Sequence, residues 1–124
     1  MDKKSTYELL AYILLSIELI EERFAFIKTR DDFIENHAGL EKLDAISMRL
    51  QSIGEAIKNL LKRDADILLA QNEKSYWSDI IKFREIISHH YIDIDSEIVF
   101  DICTDDLSSL KSSIQKIYNN QQNT

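Results

Sequence analysis

The side chains best suited to chemistry crowd into one stretch, Trp77-Ser-Asp-Ile-Ile-Lys-Phe-Arg84-Glu85-Ile-Ile-Ser-His89-His90-Tyr91. Read as a helix, it places Arg84 on the same side as Trp77, Ile80, Ile81, Ile87 and Tyr91. A guanidinium on an apolar stripe must meet an anion, a partner acid or water, because an unpaired buried charge is costly. One reading is structural: an ion pair, or a side chain that runs past the stripe to solvent. The other is chemical. An arginine fork binds a phosphodiester and stabilises charge that develops on it. A histidine, with an ordinary pKa of ~6.5, moves protons at neutral pH. On RNA the 2′-hydroxyl can serve as the nucleophile, so an Arg–His pair needs neither a metal nor a protein nucleophile.

Spacing constrains that pair. Arg84 and Tyr91 are seven residues apart and share a helix face. Arg84 and His89 are five apart, which on a regular α-helix is ~140° of net rotation. They converge only where the helix frays at His89 or where a second subunit supplies one of them. His90 lies ~100° around the helix from His89 and reads as an exposed side chain, with a second proton carrier as the alternative.

Other chemistries lack their residues. There is no H-E-x-x-H, no Cys/His cluster and no paired Glu-x-x-His of a di-iron bundle, so no metal and no cofactor are expected. Cys103 is the single cysteine, which excludes an internal disulfide. Two glycines, Gly39 and Gly54, cannot build a phosphate-binding glycine loop. His37 falls in a polar connection and reads as a surface residue.

The elements that must carry these residues are helices. Leu10, Ile13, Ile17, Ile20, Phe24 and Ile27 alternate spacings of three and four, which predicts a helix over about Thr6 to Thr29. Tyr12, Leu14, Leu15 and Leu19 widen its apolar arc. Thr29-Arg-Asp-Asp-Phe reads as a break. Leu43, Ile46, Leu50, Ile53, Ile57 and Leu60 predict a second helix over about Leu40 to Asp66, with Gly39 at its boundary and Gly54 inside it at a close packing point. Residues 65–75 are weakly patterned. Ser75 is expected to cap a third helix ending near His89–Tyr91. Asp95 or Ser96 is expected to cap a fourth, with the stripe Val99, Ile102 or Cys103, Leu107, Leu110, Ile114 and Ile117.

Length and composition agree. A chain of 124 residues is one domain's worth, and residues 1–118 are read as a single domain with a polar tail over 119–124 that frays. With no proline and two glycines it lacks the turns of a β-sandwich or barrel. The expected class is all-α, an antiparallel helical bundle. The wide apolar arcs point to a homodimer. Fifteen Lys and Arg against 22 Asp and Glu give a net charge of -7, which argues against a broad DNA-coating surface. The Met-Asp-Lys-Lys start does not read as a signal peptide, and no uncharged apolar run of transmembrane length occurs. A cytoplasmic protein without a membrane partner is expected.

Taken in order, these stretches resemble one family. Arg84-x4-His89-x-Tyr91 matches the R-x4-H-x-Y motif of HepT-like proteins, a branch of the HEPN superfamily. Ile53-Gly54-Glu55-Ala56 resembles the IGEA signature of its second long helix, and Trp77-x2-Ile80-Ile81-x2-Arg84 its W-x-x-I-I-x-x-R segment. Asp93-x-Asp95-x-Glu97-Ile98-Val99, followed by Asp106-Leu107, is similar to its approach to the last helix. The likeness covers about residues 7–117. It implies a HEPN-like bundle of four main helices that dimerises, with the Arg/His residues in a cleft at the dimer interface. It implies a metal-independent endoribonuclease, the toxin of a type VII-like toxin–antitoxin pair. Its partners would be RNA and a minimal nucleotidyltransferase antitoxin of the MntA type, which transfers AMP to the motif tyrosine. By matching positions, Arg84 would bind the scissile phosphate, His89 would be the general acid/base and Tyr91 the AMP acceptor. A dimer would also resolve the rotation between Arg84 and His89, since two sets around a two-fold axis make one composite cleft.

Two candidate auxiliary residues depart from the family pattern. Glu85 stands where Asn or another small polar residue is usual, and could hold Arg84 in an ion pair or repel an RNA backbone. His90 stands where glycine is frequent. These departures keep a second function open: a non-catalytic partner and modification substrate of the nucleotidyltransferase.

Overall fold

The computed structural model describes residues 5–86 and 95–122, and among these no strand occurs. Helix α1 spans Thr6–Phe24 and opens on Ser5, whose side chain accepts the Glu8 amide at 3.0 Å. Leu10, Ile13, Ile17 and Ile20 are fully buried along it. The helix stops five residues before the expected Thr29. Beyond Phe24 the Asp32 carboxylate accepts the backbone N–H groups of Lys28 at 2.7 Å and Thr29 at 3.0 Å. A side chain that bonds the backbone this way offers it an alternative to the helix ladder. These two bonds hold the Asp32 carboxyl below its usual pKa and lead into a 3₁₀ turn over Arg30–Phe33.

Helix α2 spans His37–Arg63, beginning and ending three residues before the expected Leu40 and Asp66. Asn36 is its cap, accepting the Gly39 amide at 2.8 Å. Gly39 is therefore inside the first turn rather than at the boundary, and its lack of a Cβ is steric: one there would run into the Asp32 carbonyl. His37, at the first helical position, is exposed as expected. All six expected stripe residues of α2 are buried. Thr6 Oγ1 donates to Asp64 Oδ2 at 2.8 Å, Arg49 Nη1 to Ser16 Oγ at 3.4 Å, and Lys42 Nζ lies 4.9 Å from the Phe26 ring centroid. Partner numbers fall on α2 as they rise on α1, so the two helices are antiparallel.

Helix α3, Ala65–Leu69, occupies the weakly patterned stretch. Helix α4 spans Lys74–Ile81, with Glu73 at the cap position and Ser75 inside the first turn. Trp77 anchors it. The indole is fully buried and its Nε1–H donates to the Leu68 carbonyl at 2.8 Å, so apolar burial leaves no orphaned donor.

Helix α5, Ser96–Asp101, is capped by Asp95 as expected, through the Glu97 and Ile98 amides at 3.0 and 3.3 Å. A π-helical turn, Ile102–Asp106, joins it to α6, Leu107–Gln122. That turn settles the choice between Ile102 and Cys103. A π turn adds one residue, so Ile102 and Leu107 both stay buried at a spacing of five, and Cys103 is only partly covered. The polar end does not fray at Asn119: α6 continues to Gln122, whose Nε2 donates to Tyr7 Oη at 3.0 Å. Tyr7 and Tyr118 stack with centroids 4.6 Å apart, and Lys111 pairs with Glu21 at 2.8 Å, so α6 also runs antiparallel to α1.

Burial pushes the Cys103 thiol up to about 12. The thiolate is the reactive form, so Cys103 in the folded chain should react with a disulfide reagent at pH 8 on the order of 10²-fold more slowly than in denaturant. Equal rates would show that the last two helices do not shield it.

Candidate active site

The site is built where α4 meets α2, and Gly54 sets how closely they meet. A Cβ on Gly54 would lie 2.7 Å from the Arg84 amide nitrogen and 2.9 Å from the Ile81 carbonyl oxygen. Only the absence of a side chain lets this backbone rest on α2. At the contact α4 ends, and Lys82–Glu85 continue as a 3₁₀ turn. The tighter winding turns Phe83 inward, three residues after Ile80, and both are buried. Helix α4 thus ends before Arg84, and the expected helix end near His89–Tyr91 lies outside the described residues.

Arg84 leaves this turn half-exposed, with 39% of its side chain accessible, and its Nε lies 3.3 Å from Glu55 Oε2. That oxygen is shut from solvent and makes no aligned hydrogen bond, so the contact is an ion pair. The carboxylate held against Arg84 is thus Glu55, one residue after the glycine notch, while Glu85 is exposed. For Glu85 the sequence offers an ion pair with Arg84 or repulsion of an RNA backbone, and its exposure is compatible with either. Glu55 was visible only as part of the Ile53-Gly54-Glu55-Ala56 signature. The available signal was its place beside an interior helix glycine, where another segment must pack. Both forms of the structural reading of Arg84 hold, since it is paired and also reaches solvent.

His89, His90 and Tyr91 lie outside the described residues, as does Asp93. Beside Glu55 a groove of 340 Å³ opens between α1 and α2, lined by Leu9, Tyr12, Gln51, Ser52, Ala56, Asn59 and Glu55 itself. Among the described residues no group of three or more His, Cys, Asp or Glu could hold a metal ion, and no helix is long and apolar enough to cross a membrane.

Fold and site together define an all-α bundle protein with a carboxylate-held arginine at its surface, seated on a helix glycine. The family model described as Ribonuclease HepT-like matches residues 13–117, and the chain belongs to that family. It is also similar to a protein of Methanocaldococcus jannaschii named as a gamma-glutamylcyclotransferase and candidate RNase. The two are 34% identical over 108 residues, which is 87% of this chain and 45% of that protein. The chain thus spans about half the length of that relative. No solved structure matches it.

Proposed function

We propose that the chain is a metal-independent endoribonuclease, acting as a cytoplasmic homodimer and as the toxin of a toxin–antitoxin pair. The observation that carries this is Arg84, held by Glu55 yet open to solvent, in a member of the HepT-like ribonuclease family. Arg84 binds the scissile phosphodiester and neutralises the charge that builds on it. His89 takes the proton of the adjacent 2′-hydroxyl. The 2′-oxygen bonds to phosphorus, and the bond to the 5′-oxygen breaks. The second protomer's copy of His89 returns a proton to that leaving oxygen, with a 2′,3′-cyclic phosphate as product. Leu15 on α1 and Met48 on α2 stay largely exposed, which supports a second copy as partner. Tyr91 is the acceptor for AMP from a nucleotidyltransferase antitoxin of the MntA type, which silences the toxin.

RNA cleavage in EDTA tests this, comparing the wild type with His89→Ala. Cleavage that persists in the variant removes the assignment. Glu55 is a positioning residue here. Its replacement by Ala should lower kcat by about 10-fold or more with a smaller change in KM, since small misplacements of a catalytic group are costly. A rise in kcat would make Glu55 a restraint on Arg84 instead.

A second reading has its own support: Glu55 already neutralises the guanidinium, on a chain of net charge -7. Under it the protein is a non-catalytic partner of the nucleotidyltransferase. The wild type would then leave RNA intact yet gain AMP mass on Tyr91.

A further inference from the structure

We infer that the groove between α1 and α2 receives the nucleobase next to the phosphate held by Arg84, with Tyr12 as its stacking surface and Gln51 and Asn59 as its readers. This assignment rests on the ribonuclease reading. Glu55 joins the two places: it lines the groove, and its Oε2 is 3.3 Å from Arg84 Nε. A nucleotide whose phosphate meets the guanidinium therefore has the groove one side chain away.

The lining decides which part of the nucleotide enters. It has no cation, and its one carboxylate is already paired with Arg84, so the lining gives a phosphate no counter-charge of its own. It offers an apolar floor in Leu9 and Ala56, an aromatic ring in Tyr12 and two neutral amides in Gln51 and Asn59. Unpaired RNA bases are held by this combination, stacked on aromatic rings and hydrogen-bonded along their edges. An amide carries both a donor and an acceptor, which suits a base edge and adenine in particular. Tyr12 is held in place: the Arg49 guanidinium lies 5.9 Å from its ring centroid and donates to Ser16 on α1. Ser52 spends its proton on the Met48 carbonyl at 3.1 Å, so toward the groove it can only accept. The volume, 340 Å³, lies at the small end of ligand sites.

Binding of short 2′-O-methyl RNA oligomers of A, C, G or U, followed by fluorescence anisotropy, tests the groove without needing cleavage. The wild type should prefer one base by roughly 5-fold or more. The double variant Gln51→Ala/Asn59→Ala should flatten that preference. Tyr12→Leu should weaken all four oligomers by about 5-fold or more, with circular dichroism confirming the helices. Three results overturn the assignment: a base profile unchanged in the variants; AMP alone competing as well as the oligomers; or variants that shift only the sedimentation coefficient, which makes the groove an interface between copies. Cleavage of unmodified RNA is measured in parallel. Base-selective binding without cleavage would remove the ribonuclease reading alone, and cleavage with an unaltered base profile would remove the groove alone.

Discussion

Arg84→Ala is expected to lower RNA cleavage by about 10²–10³-fold, the usual cost of removing one donor to a developing oxyanion. The fold should barely notice. The Arg84–Glu55 pair is 39% and 47% exposed, and ion pairs this wet contribute ~0–1 kcal/mol. The two magnitudes separate the roles of the residue. A structural arginine would lose stability and activity together, whereas a phosphate-binding one loses activity with a melting temperature shifted by only a few degrees. Arg84→Lys sharpens the contrast, because it keeps the charge and discards the planar fork. It should recover part of the binding and little of the rate. Single-turnover cleavage in EDTA and a thermal melt on the same samples decide the matter. Wild-type rates in Arg84→Ala would move the site elsewhere.

Gly54→Val should damage both the bundle and the site. In a helix interior, replacing glycine normally removes a penalty of up to ~1 kcal/mol. Here the first added carbon would press on the Arg84 amide nitrogen at 2.7 Å and the Ile81 carbonyl oxygen at 2.9 Å. Both are backbone atoms, so no rotamer change relieves them. The α4 segment must lift from α2, at a cost of about 1–3 kcal/mol for overpacking. Gly54→Ala tests the balance more finely, with the propensity gain opposing the clash. The lift also carries Arg84 away from Glu55, so kcat should fall by up to about 10²-fold. Urea unfolding and cleavage rates provide the two readings. An alanine variant both more stable and fully active would show that the close approach is dispensable.

These two residues also show where the reading of the chain succeeds. The stripe of α2 is buried at every expected position, because helical burial repeats on a local period that any stretch of sequence displays. Asp95 as a cap follows from side-chain chemistry over three residues. Gly54 as a packing point follows because an interior helix glycine needs a reason, whereas Gly39, expected at the boundary, lies inside the first turn against the Asp32 carbonyl. The errors lie where periodicity changes. The 3₁₀ turn at Lys82–Glu85 and the π turn at Ile102–Asp106 alter the residues per turn. One α period extended through them left the buried Phe83 out of the expected stripe and Ile102 and Cys103 unresolved.

The all-α class was thus determined by the amino-acid sequence alone, through composition and the 3.6-residue period, and a motif of fixed spacing singled out Arg84 as the candidate arginine. The carboxylate partner of that arginine was decided by tertiary structure. Glu85 is its neighbour along the chain and Glu55 its neighbour in space, and the distinction rests on Gly54, which lets the backbone of one element settle against another. An ion pair depends on separation through space, and separation through space is set by packing.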